Sequence, residues 1–413
     1  MTVEPPLAVE GCGDDRQDAL DLAHSDHCTA LVPDIDSILR TVKDISNRRT
    51  RRELGMDNWR LVAEARGVLV GTLAGATGGG GVRRFGAAGS LVPALEERQG
   101  VAALLWHPTL PVLYGLTMGP EGRLFAWREE KGVVHLAADR PSHGTVPCHL
   151  AADPRGAFLL LANYGTGSLT VFPVEEDGVP AAAPAWLQAL AGRGPRADRQ
   201  QRSFAHHVAF MDDEVVLVND LGGDALVSFR LDRGTGRLEQ LEVSPMPAGS
   251  GPRHMVVLPD DRVVVSGELD NTVVLGHYDR ASAHVTVAAV APSSWSTEVR
   301  RPVGESLASD ILAAGADVVY VANRGYDTIA SLRVGADSLT PVSELAAGGS
   351  WPQHLAVVDD TLLVACQRSD AVAVWVGAAG ARPRLLGTVP VERPAWLLTA
   401  PGGRGLSTWP DRR

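Results

Sequence analysis

The sequence predicts an all-β chain in which one small sheet is repeated and closed into a ring, preceded by an N-terminal extension. Three observations carry this. From about residue 66 onward, apolar strands of about five or six residues recur, with Gly, Asp, Asn and Pro between them. One strand pattern returns at a spacing of roughly 45 to 58 residues, a length that suits a propeller blade. Once the complete copies are set aside, one strand remains near the start, Gly67–Thr72, and one near the end, Pro394–Thr399. The expectation is a seven-bladed β-propeller over residues 66–413, with an extension of uncertain order over residues 1–65.

The extension differs in character. Ile35-Asp-Ser-Ile-Leu-Arg-Thr-Val-Lys-Asp-Ile45 spaces its apolar residues for one helical face, and a basic stretch, Asn47-Arg-Arg-Thr-Arg-Arg-Glu53, follows. A docking arm, a poorly ordered tail and a natural start at Met56 are all compatible with that pattern.

The repeat begins with a polar residue, often His, followed by an apolar strand and an acidic turn. A second apolar strand then ends in Ala-Asn or similar, and a short turn leads to a third strand. Pro147-Cys-His-Leu150 leads through Asp153 to Phe158–Asn163 and Ser168–Pro173. Ala205-His-His-Val208, Pro252-Arg-His-Met255, Ser309-Asp-Ile-Leu312 and Pro352-Gln-His-Leu355 open four further copies, and a worn copy starts near Leu105-Trp-His-Pro108. A lone meander of this size cannot bury both faces, whereas radial packing buries them and removes most exposed edges. Six copies plus one blade shared between the two ends make seven, with six and eight as the neighbouring counts. The recurring His149, His254 and His354 read as residues that hold blades together, and the acidic turns as acceptors for backbone amides. Ala183–Ala191 is a candidate short helix.

Bulk properties exclude several classes. Hydrophobic residues make up 45% and charged residues 21% of 413, as in soluble globular proteins. A net charge of -11 argues against a nucleic-acid groove, which needs a basic footprint. The four cysteines lie far apart without a CxxC pair, so neither a disulfide framework nor a zinc signature is expected. No apolar run approaches the ~18 residues of a membrane span, and the acidic N-terminus lacks a secretory apolar region. The reading is a cytoplasmic monomer with no nucleic-acid or membrane partner, no cofactor and no obligatory metal. Gly78-Gly-Gly-Gly81 lacks the Gly-Lys-Ser/Thr of a phosphate loop.

Several stretches, in order, resemble one known family. Gly144-Thr-Val-Pro-Cys-His-Leu-Ala-Ala-Asp-Pro-Arg-Gly-Ala-Phe-Leu-Leu-Leu-Ala-Asn-Tyr-Gly-Thr-Gly-Ser168 is similar to the second-blade signature of the propeller lactonases, which include bacterial 6-phosphogluconolactonases and resemble the fungal carboxymuconate lactonising enzyme. The segment 194–206, with its Arg-Gln and terminal Ala-His, is similar to that family's long approach to the third blade. Gly249–His254 with Gly267–Asp270, Ala322–Asp327 and Gly348–His354 match the fourth, fifth and sixth blades. The family usually has His where Phe204 stands, Asn-Ser-Ala-Ala-Glu where Ser306-Leu-Ala-Ser-Asp310 stands, and Asn-Glu at Thr117-Met118. These departures surround the expected channel mouth and bear on substrate identity.

The residues that break the repeat are the candidates for chemistry. His206 and Arg253 each precede the common His-apolar pair, and Glu268 and Arg324 each follow a second strand. Equivalent points of successive blades lie on a ring, so the four side chains can converge on one mouth of the channel. Arginine stays charged and can stabilise the oxyanion that forms when water attacks a lactone carbonyl. His206 suits proton transfer, and Glu268 can orient the His, hold Arg253 or act as base. The family resemblance implies the same catalytic set, His206, Arg253, Glu268 and Arg324. Arg199, Gln200 and Arg202, on the loop before the third blade, are candidates for holding an anionic part of the substrate. The resulting expectation is hydrolysis of a small anionic or sugar lactone in the manner of 6-phosphogluconolactonase. A muconate-type lactone cycloisomerase and a non-catalytic binding propeller are the alternatives.

Overall fold

A computed structural model describes residues 68–74, 80–85, 91–96, 100–130, 133–295 and 306–399. The expected helix at Ile35–Ile45 and the basic stretch after it lie outside the described residues.

Second strands such as Phe158–Asn163, Val215–Asp220 and Val318–Arg324 are nearly continuous apolar runs, because each is covered on both faces. Alternate residues serve opposite neighbours. Leu159 and Leu161 pack into one cluster while Leu160 and Ala162 pack into the next. Burying a Leu or Val side chain stabilises by about 1.5–3 kcal/mol, so each interface between sheets is a core in its own right.

The described residues form seven four-stranded antiparallel sheets. Blade 1 starts at Ala103–Trp106, blade 2 at Pro147–Ala152, blade 3 at Ala205–Phe210 and blade 4 at Pro252–Val257. Blades 5 and 6 start at Leu307–Ala313 and Pro352–Val358. Blade 7 takes its innermost strand, Pro394–Thr399, from the C-terminal side and its other three, Val68–Thr72, Gly81–Phe85 and Leu91–Glu96, from the N-terminal side. The pairing Val68↔Thr399 through Thr72↔Pro394 therefore closes the ring, as the two leftover strands predict. Seven apolar clusters lie between successive blades, including those joining blades 6 and 7 and blades 7 and 1.

Many polar residues inside this core have partners, although both amide atoms of Asn219 and Trp375 Nε1 have none. Tyr114 and Tyr320 occupy equivalent second-strand sites and donate their hydroxyls to Gly178 O and Ala378 O, both at 2.7 Å. The terminal Asn of the Ala-Asn pair ties strands together: Asn323 Nδ2 donates to Ser293 O at 2.7 Å and to Thr328 Oγ1 at 3.0 Å. The acidic turns behave as anticipated at Asp153, which accepts from Phe158 N at 2.6 Å, and at Asp212, which accepts from Val215 N at 2.8 Å.

One element differs from the sequence reading. Within Ala183–Ala191 the chain forms a strand, Trp186–Ala189, not a helix. It pairs with Ser168–Val171 as the outer strand of blade 2, and Trp186 packs against the core between blades 2 and 3. The open edge of the third strand outweighs the helical preference of the Ala-rich segment. Among the described residues, no helix is long and apolar enough to cross a membrane.

Candidate active site

The innermost strands share an irregularity. In blades 2, 3, 4, 5 and 6 the pairing with the second strand shifts by one residue near the strand start, and in blade 7 it shifts opposite Ala395. A bulge of this kind inserts an unpaired residue and redirects its side chain. The residues so placed include Cys148, His206, Arg253, Gln353 and Ala395, and all five line one cavity of about 260 Å³. A second set comes from the residues at or just after the ends of second strands, namely Leu73, Met118, Tyr164, Glu268, Arg324 and Gln367. The cavity is thus built by two concentric rings at equivalent positions, with Ala102, Val146 and Trp351 completing the wall.

The four principal sequence candidates, His206, Arg253, Glu268 and Arg324, are brought together on this wall, and all are buried. Glu268 is their centre. Arg199 Nη2 donates to its Oε1 at 2.6 Å and Arg324 Nη2 to its Oε2 at 2.7 Å. Arg253 Nε lies 3.0 Å from Oε2 without the alignment of a hydrogen bond, and Arg253 Nη1 has no acceptor. Arg324 also reaches Leu307 O and Gln353 Oε1, at 3.3 and 3.4 Å.

Electrostatics follow from this crowding. Burial opposes ionisation of Glu268, but Arg324, Arg253, His206 and Arg199 together hold its pKa well below the usual carboxylate range. Burial first, then Arg324, lower Arg253 to about 10, which leaves it a cation at neutral pH. His206 is pushed well below the ordinary histidine value, chiefly by burial and then by Arg253 and Arg324, with Glu268 opposing them. Its imidazole is therefore neutral, and its Nδ1 is buried without a partner. Three guanidiniums face one carboxylate here. Asp310, one layer deeper, is the next acidic contribution to Arg253, so even with it one positive charge is uncompensated.

The loop residues separate. Arg199 joins the cluster through Glu268. Gln200 is buried away from the cavity lining, where its amide donates to Leu221 O at 2.9 Å and Asp224 Oδ1 at 2.6 Å and shapes the loop. Arg202 is exposed, donates to Gly165 O at 2.5 Å and lies over the Phe204 ring at 5.1 Å.

Beneath the cavity lies the layer of the recurring histidines, as their structural reading anticipates. His254 Nδ1 and Asp310 Oδ1 are 2.8 Å apart, and His354 Nε2 is 3.5 Å from the other carboxylate oxygen. Because Leu397 N donates to His354 Nδ1 at 3.2 Å, the proton of a neutral His354 sits on Nε2, towards Asp310. Asp310 therefore takes a position where four other blades supply His149, His207, His254 and His354.

Sequence reasoning passed over Tyr164, Trp351, Gln353 and Gln367. A signal existed for three of them. Gln353 is the blade-6 counterpart of Arg253, and Tyr164 and Gln367 are the counterparts of Glu268 in blades 2 and 6. Trp351 precedes the inner strand of blade 6 as Val146 precedes that of blade 2, and both line the cavity. Among the described residues, no group of three His, Cys, Asp or Glu side chains is arranged to hold a metal ion.

Comparison with known proteins agrees with this architecture. Residues 68–398 match the family described as lactonase, 7-bladed beta-propeller. The 6-phosphogluconolactonase of Bacillus subtilis (strain 168) is 32% identical over 289 residues, 65% of this chain and 78% of that protein. The periplasmic gluconolactonase PpgL of Pseudomonas aeruginosa superposes with a TM-score of 0.72 at 23% identity, covering 81% of this chain and 99% of that one. A Lactobacillus plantarum protein superposes with a TM-score of 0.71 at 24% identity, over 81% and 99%. At such identities, the two superpositions speak to the fold.

Proposed function

This chain belongs to the lactonase family of seven-bladed β-propellers, and from that premise we propose that it hydrolyses a sugar lactone, in the first place a phosphorylated gluconolactone. The observation that carries the proposal is the cluster of guanidiniums at the cavity, buried Arg253 and Arg324 in its wall and half-buried Arg199 beside them, against the single carboxylate of Glu268. Buried charge is costly unless it is paired, so a cavity of about 260 Å³ with surplus guanidinium favours a small anionic guest. The relationship to a 6-phosphogluconolactonase at 32% identity supports the same substrate class.

In the proposed reaction, water adds to the lactone carbonyl and the ring C–O bond breaks. Arg253, whose Nε and Nη1 are without aligned acceptors in the free protein, stabilises the developing oxyanion. Glu268 holds Arg199, Arg253 and Arg324 in place, and its depressed pKa makes it a poor base. His206 is neutral and accepts the proton from the attacking water, then returns it to the departing ring oxygen. An oxyanion beside Arg253 and Arg324 offsets the two charges that, after burial, lower His206, and so raises its basicity at the moment it is needed.

The test is a lactonase assay with 6-phosphogluconolactone and unphosphorylated gluconolactone, with spontaneous hydrolysis subtracted, on wild type, Arg253→Ala and Glu268→Ala. Catalysed turnover that falls by about 10²–10³ in Arg253→Ala is expected. Turnover at the spontaneous rate in the wild-type protein overturns the proposal for these substrates.

A further inference from the structure

A separate cation stands at the rim of the cavity. Gln367 lines the wall, and Arg368 beside it is exposed, with its Cζ 3.3 Å from the centroid of the Trp351 ring. Arg324 approaches the same ring at 5.4 Å. The two arginines differ in what else they hold. Arg324 is bound to Glu268, while Arg368 makes no ion pair among the described residues. Stacking uses the face of a guanidinium and leaves the N–H groups along its edge available to a ligand.

The platform under Arg368 is fixed in place. Trp351 has a φ of 60°, a left-handed conformation rare for a bulky side chain. It is held there by Trp351 N donating to Asp327 Oδ1 at 2.7 Å. Three further bonds tie its loop to the turn that carries Arg368: Gln367 N to Trp351 O at 3.0 Å, Arg368 N to Ser350 O at 3.1 Å, and Ser350 N to Ser369 Oγ at 2.9 Å. The same left-handed backbone precedes the inner strands at Val146, Gly251 and Arg393, so the blade geometry itself fixes the residue at this point and here that residue is a tryptophan. Two other exposed arginines near the mouth are occupied, Arg202 with Gly165 O and Phe204 and Arg393 with Ala74 O; Arg368, by contrast, is seated on Trp351, which lines the cavity.

We propose that Arg368, seated on Trp351, is the subsite for a terminal oxyanion of the substrate, remote from the carbonyl under attack. Such a group is a phosphomonoester or a carboxylate. This rests on the lactone-hydrolase reading of the cavity. The cations then run from buried Arg253 through Arg324 to exposed Arg368, so the substrate lies with its reacting end inward and its charged tail at the rim. Arg368 is a specificity residue and touches no reacting atom.

The experiment measures equilibrium binding of three open-chain products, 6-phosphogluconate, glucarate and gluconate, by calorimetry to wild type, Arg368→Gln and Arg368→Lys. In parallel, steady-state hydrolysis of phosphorylated and unphosphorylated gluconolactone is followed. Wild type is expected to bind at least one of the two products that carry a second anionic group tenfold or more tighter than gluconate, and the tighter of the two identifies the tail as phosphate or carboxylate. Arg368→Gln removes that margin with gluconate binding unchanged, and Arg368→Lys restores part of it. In turnover, the loss appears in KM for the charged lactone with kcat unchanged. A margin that is missing in wild type, survives in Arg368→Gln, or falls together with gluconate binding overturns the subsite. A margin that depends on Arg368 without any lactone turnover overturns the lactonase reading and leaves the anion subsite standing. Turnover without a margin does the reverse.

Discussion

Acid should unfold this propeller at a pH where most carboxylates are still ionised, and the channel histidines are the reason. His149 is lowered to about 3, by burial first and then by His354 and Arg253, and His206 lies well below its ordinary value for the causes given above. A histidine whose folded pKa is depressed stays neutral in the native state while its unfolded counterpart takes up a proton below about pH 6.5. The unfolded state then binds more protons, so stability is complete above pH 6.5 and declines as pH falls below it. Such a group contributes about 1.4 kcal/mol per pH unit, so His149 alone removes about 2 kcal/mol between pH 6.5 and 5.0, and His206 acts in the same direction. His254 adds to this, because burial, Arg253 and the neighbouring imidazoles lower it, although its hydrogen bond to Asp310 favours the protonated form and makes its share smaller. Against a typical total of about 5–15 kcal/mol, the loss is large. Urea unfolding at pH 7.5, 6.5, 5.5 and 5.0 reads it directly. His149→Phe should flatten the slope by up to one proton, about 1.4 kcal/mol per pH unit, whatever its effect on stability at pH 7.5. A stability that is flat from pH 7.5 to 5.0, or a slope unchanged in His149→Phe, refutes the assignment of neutral buried imidazoles.

Three further outcomes follow from the same geometry. Glu268→Gln leaves Arg199, Arg253 and Arg324 without their shared carboxylate and should cost about 3–5 kcal/mol; because Glu268 has a depressed folded pKa, the loss is fully seen above about pH 4.5, and phosphate should partly restore the thermal midpoint by binding to the folded state. Tyr320→Phe removes one of the two donors to Ala378 O, leaving Ala381 N, and should lower stability by about 0.5–1.5 kcal/mol, measured by urea unfolding, with lactonase turnover unchanged. Truncation before Pro394 removes the innermost strand of blade 7 and exposes Val68 and Val70; the expected result is loss of cooperative unfolding by calorimetry, whereas a chain of ordinary midpoint would show that this strand does not close the ring.

The blades could be read from the sequence because a strand covered on both faces leaves an unmistakable mark. Val318-Val-Tyr-Val-Ala-Asn323 allows little else, and its recurrence at blade spacing requires a ring. The leftover strands Val68–Thr72 and Pro394–Thr399 had to meet for the same reason. Ala183–Ala191 was misread because an outer strand has one half-exposed face and little pattern, and the partner that stabilises it is not local. Of the loop residues, only Arg199 reaches the cluster, and nothing in an aperiodic segment distinguishes it from Gln200 or Arg202. The rim arginine was invisible for a similar reason: Arg368 gains its place from stacking on Trp351, a contact that no local pattern announces.

The bulges separate folding from chemistry. Most blades devote their regular strand positions to apolar packing and leave one bulged position and one strand-end position to face the channel. Cys148, Gln353 and Ala395 sit at those positions without any visible charge chemistry, while His206, Arg253, Glu268 and Arg324 fill the same positions in three successive blades. Substitution at a bulge or strand end alters the cavity while leaving the apolar clusters between blades untouched, so the mouth can depart from the family's pattern at Met118 while the ring persists. Asp310 shows the limit of that freedom. As a carboxylate among imidazoles, it holds His254 and His354 and contributes to the potential at Arg253, so the layer beneath the cavity is coupled to the reacting groups above it. Substrate choice in such a framework is set by which few of the ring positions carry charge, and here that charge lies on the arc from blade 4 to blade 6.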